Sequence, residues 1–238
     1  YVKAVDDVSF KVRSGETLGL VGESGCGKTT TGKCILRIND PTDGHIFYKG
    51  ADIARLSKSA LKPIRRDIQL IFQDPYGSLN PRQNLGMILK DAILGDHEYH
   101  SREEVDKEIN RLLTLVELLP SMVDRYPHEL SGGQRQRLGI ARALACKPTL
   151  IVCDEPVSAL DVSIQAQIIN LFERLREELG LTYVFIAHDI AVVKHIADTI
   201  AVMYLGHIVE MMDSKHIFKN PIHPYTKSLL SAVPTVDY

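Results

Sequence analysis

Eight consecutive residues, Gly22-Glu23-Ser24-Gly25-Cys26-Gly27-Lys28-Thr29, separate the apolar run Thr17–Val21 from a segment with helical spacing. That segment carries Cys34, Ile35 and Ile38 on one side and stops at Asn39-Asp40-Pro41. Strand, glycine loop and helix make one α/β unit, and the loop fits the GxxxxGK(S/T) pattern of Walker A. Glycines let the backbone curl so that successive N–H groups face inward at phosphate oxygens, and the helix N-terminus adds its positive dipole end. Lys28 would neutralise the β- and γ-phosphates of a nucleotide, and the Thr29 hydroxyl would ligate magnesium, with Thr30 beside it in the same first turn.

What surrounds the loop bounds the answer further. A chain of 238 residues has room for one large domain, or one core with an inserted subdomain. Lys and Arg number 28 against 30 Asp and Glu, which leaves nucleic-acid binding through a basic face without support. No apolar run reaches the roughly 18–20 residues of a membrane-spanning helix, and the first residues do not read as a signal peptide, so a soluble chain is expected. Cys26, Cys34, Cys146 and Cys153 show no CxxC spacing and read as reduced thiols rather than metal ligands. The chain opens at Tyr1 without methionine and stops at Tyr238, as a piece of something longer would.

Along the chain, residues 5–12 alternate with Val8, Phe10 and Val12 on one face, and with Thr17–Val21 they predict a two-stranded hairpin. Strand signals recur at Ile46–Tyr48 and Ile68–Phe72, followed by the turn-rich stretch Asp74–Pro81. From there to about Leu119 the period is helical, with Val105, Ile109, Leu112, Leu113 and Val116 on one face. The apolar runs Leu150–Cys153 and Tyr183–Ala187 read as strands buried on both faces of a parallel sheet, with a helix from Ile164 to Leu179 between them that stops at Gly180. Residues 199–204 and 207–210 predict a late hairpin. The expected class is α/β: a P-loop NTPase core with a mixed, largely parallel sheet, an N-terminal antiparallel β portion and an inserted α-helical subdomain. The expected division is a first core part over 1–78, helices over 79–147 and a second core part over 148–238.

In open parallel sheets ligands bind beyond the carboxyl ends of the strands, so the residues after each apolar run carry the chemistry. After the first of the later runs come Asp154, placed to hold Mg²⁺, and Glu155, placed to take a proton from the attacking water. After the second come His188 and Asp189, with His188 facing phosphate. Ser131-Gly132-Gly133-Gln134 opens another helix, with Ser131 as N-cap and two glycines that allow an anion to approach. One nucleotide does not readily fill two such cradles.

Taken together, LSGGQ at 130–134, the Walker A loop, Gln73 at a strand end, LIVCDE at 150–155, Ser158-Ala159-Leu160-Asp161 and His188 resemble the ATP-binding cassette ATPases in spacing and order. The resemblance covers essentially the whole chain. It implies that two cassettes pack head to tail, with Ser131, Gly132 and Gly133 of one completing the γ-phosphate site of the other and Gln134 in the same motif. It also implies that Gln73 senses magnesium and the attacking water, that Asp161 bridges the cassettes, and that His188 holds the γ-phosphate. Tyr1 is the candidate for stacking on adenine.

Longer stretches are similar to the oligopeptide/dipeptide importer ATPases: IFQDPYGSLNPR at 71–82, HELSGGQRQRLGIARAL at 128–144, CDEPVSALDVSIQAQI at 153–168, IAHDIAVVKHIAD at 186–198 and NPIHPYTKSLLSAVP at 220–234. This implies an enzyme using ATP and Mg²⁺ on the cytoplasmic face of the cell membrane. Its partners would be permease subunits, a second ATPase subunit and, indirectly, an external peptide-binding protein, with no nucleic acid. The segment Asp74–Pro81 is the expected permease contact. Cassettes of other importers, exporters, and soluble cassettes acting on nucleic acid or the ribosome are the competing readings.

Overall fold

The computed structural model describes residues 3–95 and 101–231. In chain order its elements are β1 (Thr17–Val21), α1 (Lys28–Ile35), β2 (Phe47–Tyr48), β3 (Ala51–Asp52), α2 (Lys58–Asp67), β4 (Ile68–Ile71), α3 (Pro75–Ser78), α4 (Leu85–Leu94), α5 (Arg102–Leu115) and α6 (Gly132–Leu144). They continue with β5 (Leu150–Asp154), α7 (Val162–Leu179), β6 (Thr182–Ala187), α8 (Ile190–Ile196), β7 (Thr199–Tyr204), β8 (His207–Asp213), α9 (Ser214–Ile217) and α10 (Pro224–Ser231). The main sheet has the strand order β4-β5-β6-β1-β7-β8. Its first five strands run parallel, and β8 returns antiparallel to β7.

Uniformly apolar strands follow from burial on both faces. In β6, Tyr183 and Phe185 point into one core, where Phe172 of α7 meets both rings edge-on at 5.5 and 5.6 Å. Val184 and Ile186 point into the other, with Leu18 and Leu20 of β1. Helix α1 comes close on this second face, because a Cβ on Gly32 would lie 2.8 Å from Ile186 Cδ1. The period predicted for Val105, Ile109, Leu112, Leu113 and Val116 holds: all five are buried in the larger core. Gly180 ends α7 in the left-handed conformation, φ 65°, as its place after the apolar period requires.

Two expectations are corrected. Residues 5–12 form no strand; β1 pairs in parallel with β6 and β7, and the small antiparallel sheet is the β2–β3 hairpin. The alternation there is real, since Val8, Phe10 and Val12 pack half-buried on the second core while their neighbours are exposed, but hydrophobic alternation needs only a face to cover, not a ladder. The buried residues of α1 are Lys28, Thr31 and Gly32, with Ile35 half-buried on the second core; Ile38 is exposed because the helix ends at Ile35, three residues before it. Among the described residues no helix is long and apolar enough to cross a membrane.

Candidate functional site

Parallel strands in register deliver whatever follows them to one edge. Val21 stands opposite Ala187, Ile71 opposite Cys153 and Asp154 opposite Ile186, so the residues after β1, β4, β5 and β6 emerge together at the carboxyl edge. Four positions far apart in sequence meet there.

The loop after β1 is built by close packing. Gly22 has φ 155° and Gly27 has φ 111°, and added Cβ atoms would lie 2.1 Å from the Met203 carbonyl oxygen and 2.2 Å from that of Ala4. Only glycine fits either place. The loop is also tied to the β7–β8 turn, where the Gly206 N–H donates to the Cys26 carbonyl while its own carbonyl accepts from Asp6 N–H. Glu23, Ser24 and Gly25 are exposed, whereas Cys26, Gly27 and Lys28 are buried and Thr29 and Thr30 half-buried. The Lys28 ammonium donates to the carbonyls of Gly22 at 2.7 Å and Glu23 at 2.8 Å. No side chain caps α1, so its first-turn N–H groups are left for an outside acceptor.

Facing the loop, the Thr29 hydroxyl donates to Asp154 Oδ1 at 2.8 Å. Burial raises the Asp154 carboxyl above its ordinary value and neighbouring Glu155 adds to this, while the Thr29 hydrogen bond and the charges of Lys33 and Lys28 pull it back. A hydroxyl beside a desolvated carboxylate is a hard-oxygen pair that suits Mg²⁺.

One residue on, the chain turns sharply. Glu155 sits at φ 48°, a left-handed conformation that costs a non-glycine residue about 1–2 kcal/mol. It is held by its N–H donating to the Ile186 carbonyl and by the Ser158 N–H and hydroxyl both donating to its own carbonyl. This turn puts the carboxylate among the other candidates: Gln73 Nε2 donates to Oε2 at 2.9 Å, and His188 Nδ1 lies 3.6 Å from the same oxygen. A cleft lined by Glu155, Ser158, Gln165, His188 and Asp189 opens alongside.

Ser131 to Gln134 are not part of this cluster. Ser131 caps α6 in a closed capping box, with Gln134 N–H donating to Ser131 Oγ and Ser131 N–H donating to Gln134 Oε1. Among the described residues no hydrogen bond or ion pair joins them to the Gly22–Thr29 loop. Asp161 begins α7 without using its side chain as a cap and is exposed, next to Val162 at 82% exposure. Tyr1 lies outside the described residues.

Sequence reasoning missed two things. The left-handed turn at Glu155 has no local signal in a Glu-Pro pair. The approach of Tyr225 to the loop, through a bond from Glu23 N–H, joins residues that nothing in the sequence pairs.

Gathered at one sheet edge, a glycine-built loop with a buried lysine, a Thr–Asp oxygen pair and a Gln–Glu–His cluster have the form of a cassette-type nucleotide-hydrolysing core. The family model described as "ABC transporter" matches residues 5–158, and the one described as "Oligopeptide/dipeptide transporter, C-terminal region" matches 209–238. The chain belongs to the ABC transporter ATPase family. It is 56% identical over 234 residues to the oligopeptide transport ATP-binding protein AppF of Bacillus subtilis, covering 98% of this chain and 71% of that one. It is 52% identical over 236 residues to OppF of Escherichia coli, covering 99% and 71%. Among solved structures, the dimeric post-hydrolysis state of an ATP-binding cassette bound to ADP and Pi superposes with TM-score 0.80 at 32% identity, covering 90% of this chain and 91% of that one.

Proposed function

We propose that the chain is the ATP-hydrolysing subunit of an importer that takes up oligopeptides or dipeptides through a separate membrane permease. The observation that carries the peptide reading is the C-terminal match over 209–238, which lies outside the nucleotide-binding motifs shared by all cassettes.

In this reading Lys28 and the loop amides bind the phosphates, and Thr29 with Asp154 would hold Mg²⁺, which would supply charge compensation when bound. Glu155 accepts a proton from the attacking water, while Gln73 and His188, both beside its Oε2, orient that water and the γ-phosphate. Catalysis here is positioning and electrostatics, and the fixed backbone at Glu155 serves the positioning. The second glycine-rich turn at Ser131–Gly133 serves the nucleotide of a partner cassette, with Asp161 at the contact; the exposed, uncommitted Asp161 side chain supports this. The partner is a second ATPase subunit, and the assembly works on the cytoplasmic face of the membrane with an external peptide-binding protein upstream. The segment Asp74–Pro81, between sheet and helices, forms the part that meets the permease.

The test is purification of the tagged full-length protein from membranes, followed by reconstitution in vesicles. Two permease chains and a second cassette should accompany it, and labelled peptide should enter only with MgATP. Recovery with ribosomes or DNA and no permease would overturn the transport reading.

A further inference from the structure

A hydrogen bond joins the C-terminal segment to the loop after β1. The N–H of Glu23 donates to the Tyr225 hydroxyl at 2.9 Å. That N–H belongs to the Gly22–Glu23 peptide unit, whose carbonyl oxygen accepts from Lys28 Nζ at 2.7 Å. A single peptide plane is therefore gripped at both ends, by the lysine at its oxygen and by the tyrosine at its nitrogen.

Tyr225 is itself held firmly. Its ring packs on that of Tyr204, at the end of β7, with centroids 4.4 Å apart. Just before α10, the N–H groups of Ile222 and His223 donate to the two carboxylate oxygens of Glu210 in β8, at 2.8 and 3.0 Å. The Tyr225 N–H donates to His223 Nδ1 at 3.2 Å. Through these bonds the segment is anchored on the β7–β8 hairpin and presents one hydroxyl to the loop.

We propose that Tyr225 is a positioning residue for the phosphate loop, through which the C-terminal segment sets nucleotide affinity. This rests on reading Gly22–Thr29 as the phosphate cradle. The Lys28 ammonium has three donors, two of them on the carbonyls of Gly22 and Glu23, and what it gives to a phosphate weakens its hold on those carbonyls. The Tyr225 hydroxyl then remains as the side-chain restraint on that peptide plane. Without it the plane gains rotational freedom that binding must remove again, and the cost falls on affinity rather than on the chemical step.

The experiment uses the full-length protein and a fluorescent ATP analogue. Tyr225→Phe keeps the ring on Tyr204 and removes only the hydroxyl. It should raise the dissociation constant about 3- to 10-fold, the range of one lost hydrogen bond, with kcat at saturation within about twofold of the parent. Amide exchange should quicken at Glu23 and stay unchanged in β5 and α7, a local readout that survives any change in overall stability. Wild-type affinity and wild-type exchange at Glu23 would overturn the proposal, as would a loss confined to kcat. Lys28→Ala run in parallel separates the two levels. If it abolishes binding while Tyr225→Phe binds normally, only the Tyr225 role fails; if it binds normally, the cradle reading fails.

Discussion

The chain begins two helices with glycine-rich turns, and they are built in opposite ways. The turn before α1 is wedged against backbone, with Gly22 and Gly27 in left-handed conformations, Lys28 buried and no side-chain cap. The turn before α6 is exposed at Ser131 and Gly132, and it is closed on itself by the Ser131–Gln134 capping box. The first turn leaves its helix N-terminus open to an acceptor and keeps a cation beside it. The second has already satisfied two of its donors. Similar composition therefore builds an open helix start beside a buried cation in one place and a self-capped helix start in the other.

Lys28→Ala tests the self-sufficiency of the first turn most directly. Loss of a charge-assisted contact should weaken nucleotide binding by about 100-fold or more, measured by fluorescence titration, whereas Ser131→Ala in the isolated chain should leave binding near the parent value. Equal effects would erase the distinction between the turns. Glu155→Gln approaches it from the other side. Turnover should fall about 10²- to 10⁴-fold while binding persists, so that a nucleotide-bound dimer accumulates in size-exclusion chromatography and the amides of Gly132 and Gly133 gain exchange protection. Near-normal turnover would remove Glu155 as the base.

The glycines sharpen the contrast. At Gly22 a Cβ meets the Met203 carbonyl at 2.1 Å, backbone that cannot yield, in addition to the left-handed φ. Gly22→Ala should cost about 3 kcal/mol or more in thermal unfolding. At Gly133 the nearest atom is the Ile164 Cγ2 at 2.7 Å, the end of a side chain, and Gly133→Ala should cost about 1 kcal/mol. Ser131→Ala should cost about 1 kcal/mol through loss of the cap.

The smallest expected effect concerns Asp154. Its folded carboxyl titrates above its unfolded value, mainly through burial, so the folded state holds the proton more tightly. The contribution of Asp154 to folding stability is therefore greatest below the ordinary carboxylate range and declines as pH rises from there through the raised value. Asp154→Asn should match or slightly exceed the parent melting temperature at pH 7, with the gap closing in acid. A lower melting temperature at pH 7 would mean that the ionised carboxylate is better compensated than its burial implies.

The sequence made much of this legible. Strands buried on both faces announce themselves as short apolar runs, and the period of α5 is plain because it covers a core. Helix α2 is hard to read because Leu61 is its single buried residue and Pro63 lies inside it, although Leu61, Ile64 and Ile68 recur at helical spacing and pack on the second core. Residues 5–12 show the reverse, a clear alternation without a ladder. Within the site, motif residues could be named singly, but their convergence depends on strand order. That Gln73, Glu155 and His188 share one oxygen follows from β4, β5 and β6 being neighbours, which no local pattern states. The Tyr225 contact spans the molecule and is visible only in three dimensions.

The placement of β1 also governs when this site comes into being. Its hydrogen-bonding neighbours are β6 and β7, Thr17 pairing with Tyr183 and Leu18 with Thr199. On a ribosome adding about 5–20 residues per second, the strand that carries the phosphate loop waits roughly 10–40 seconds for its partners to be made. Until then the nascent chain has the loop's sequence but no sheet to hold it. The loop after β1 can thus take its folded form only once β6 and β7, about 165 to 185 residues further on, have been made.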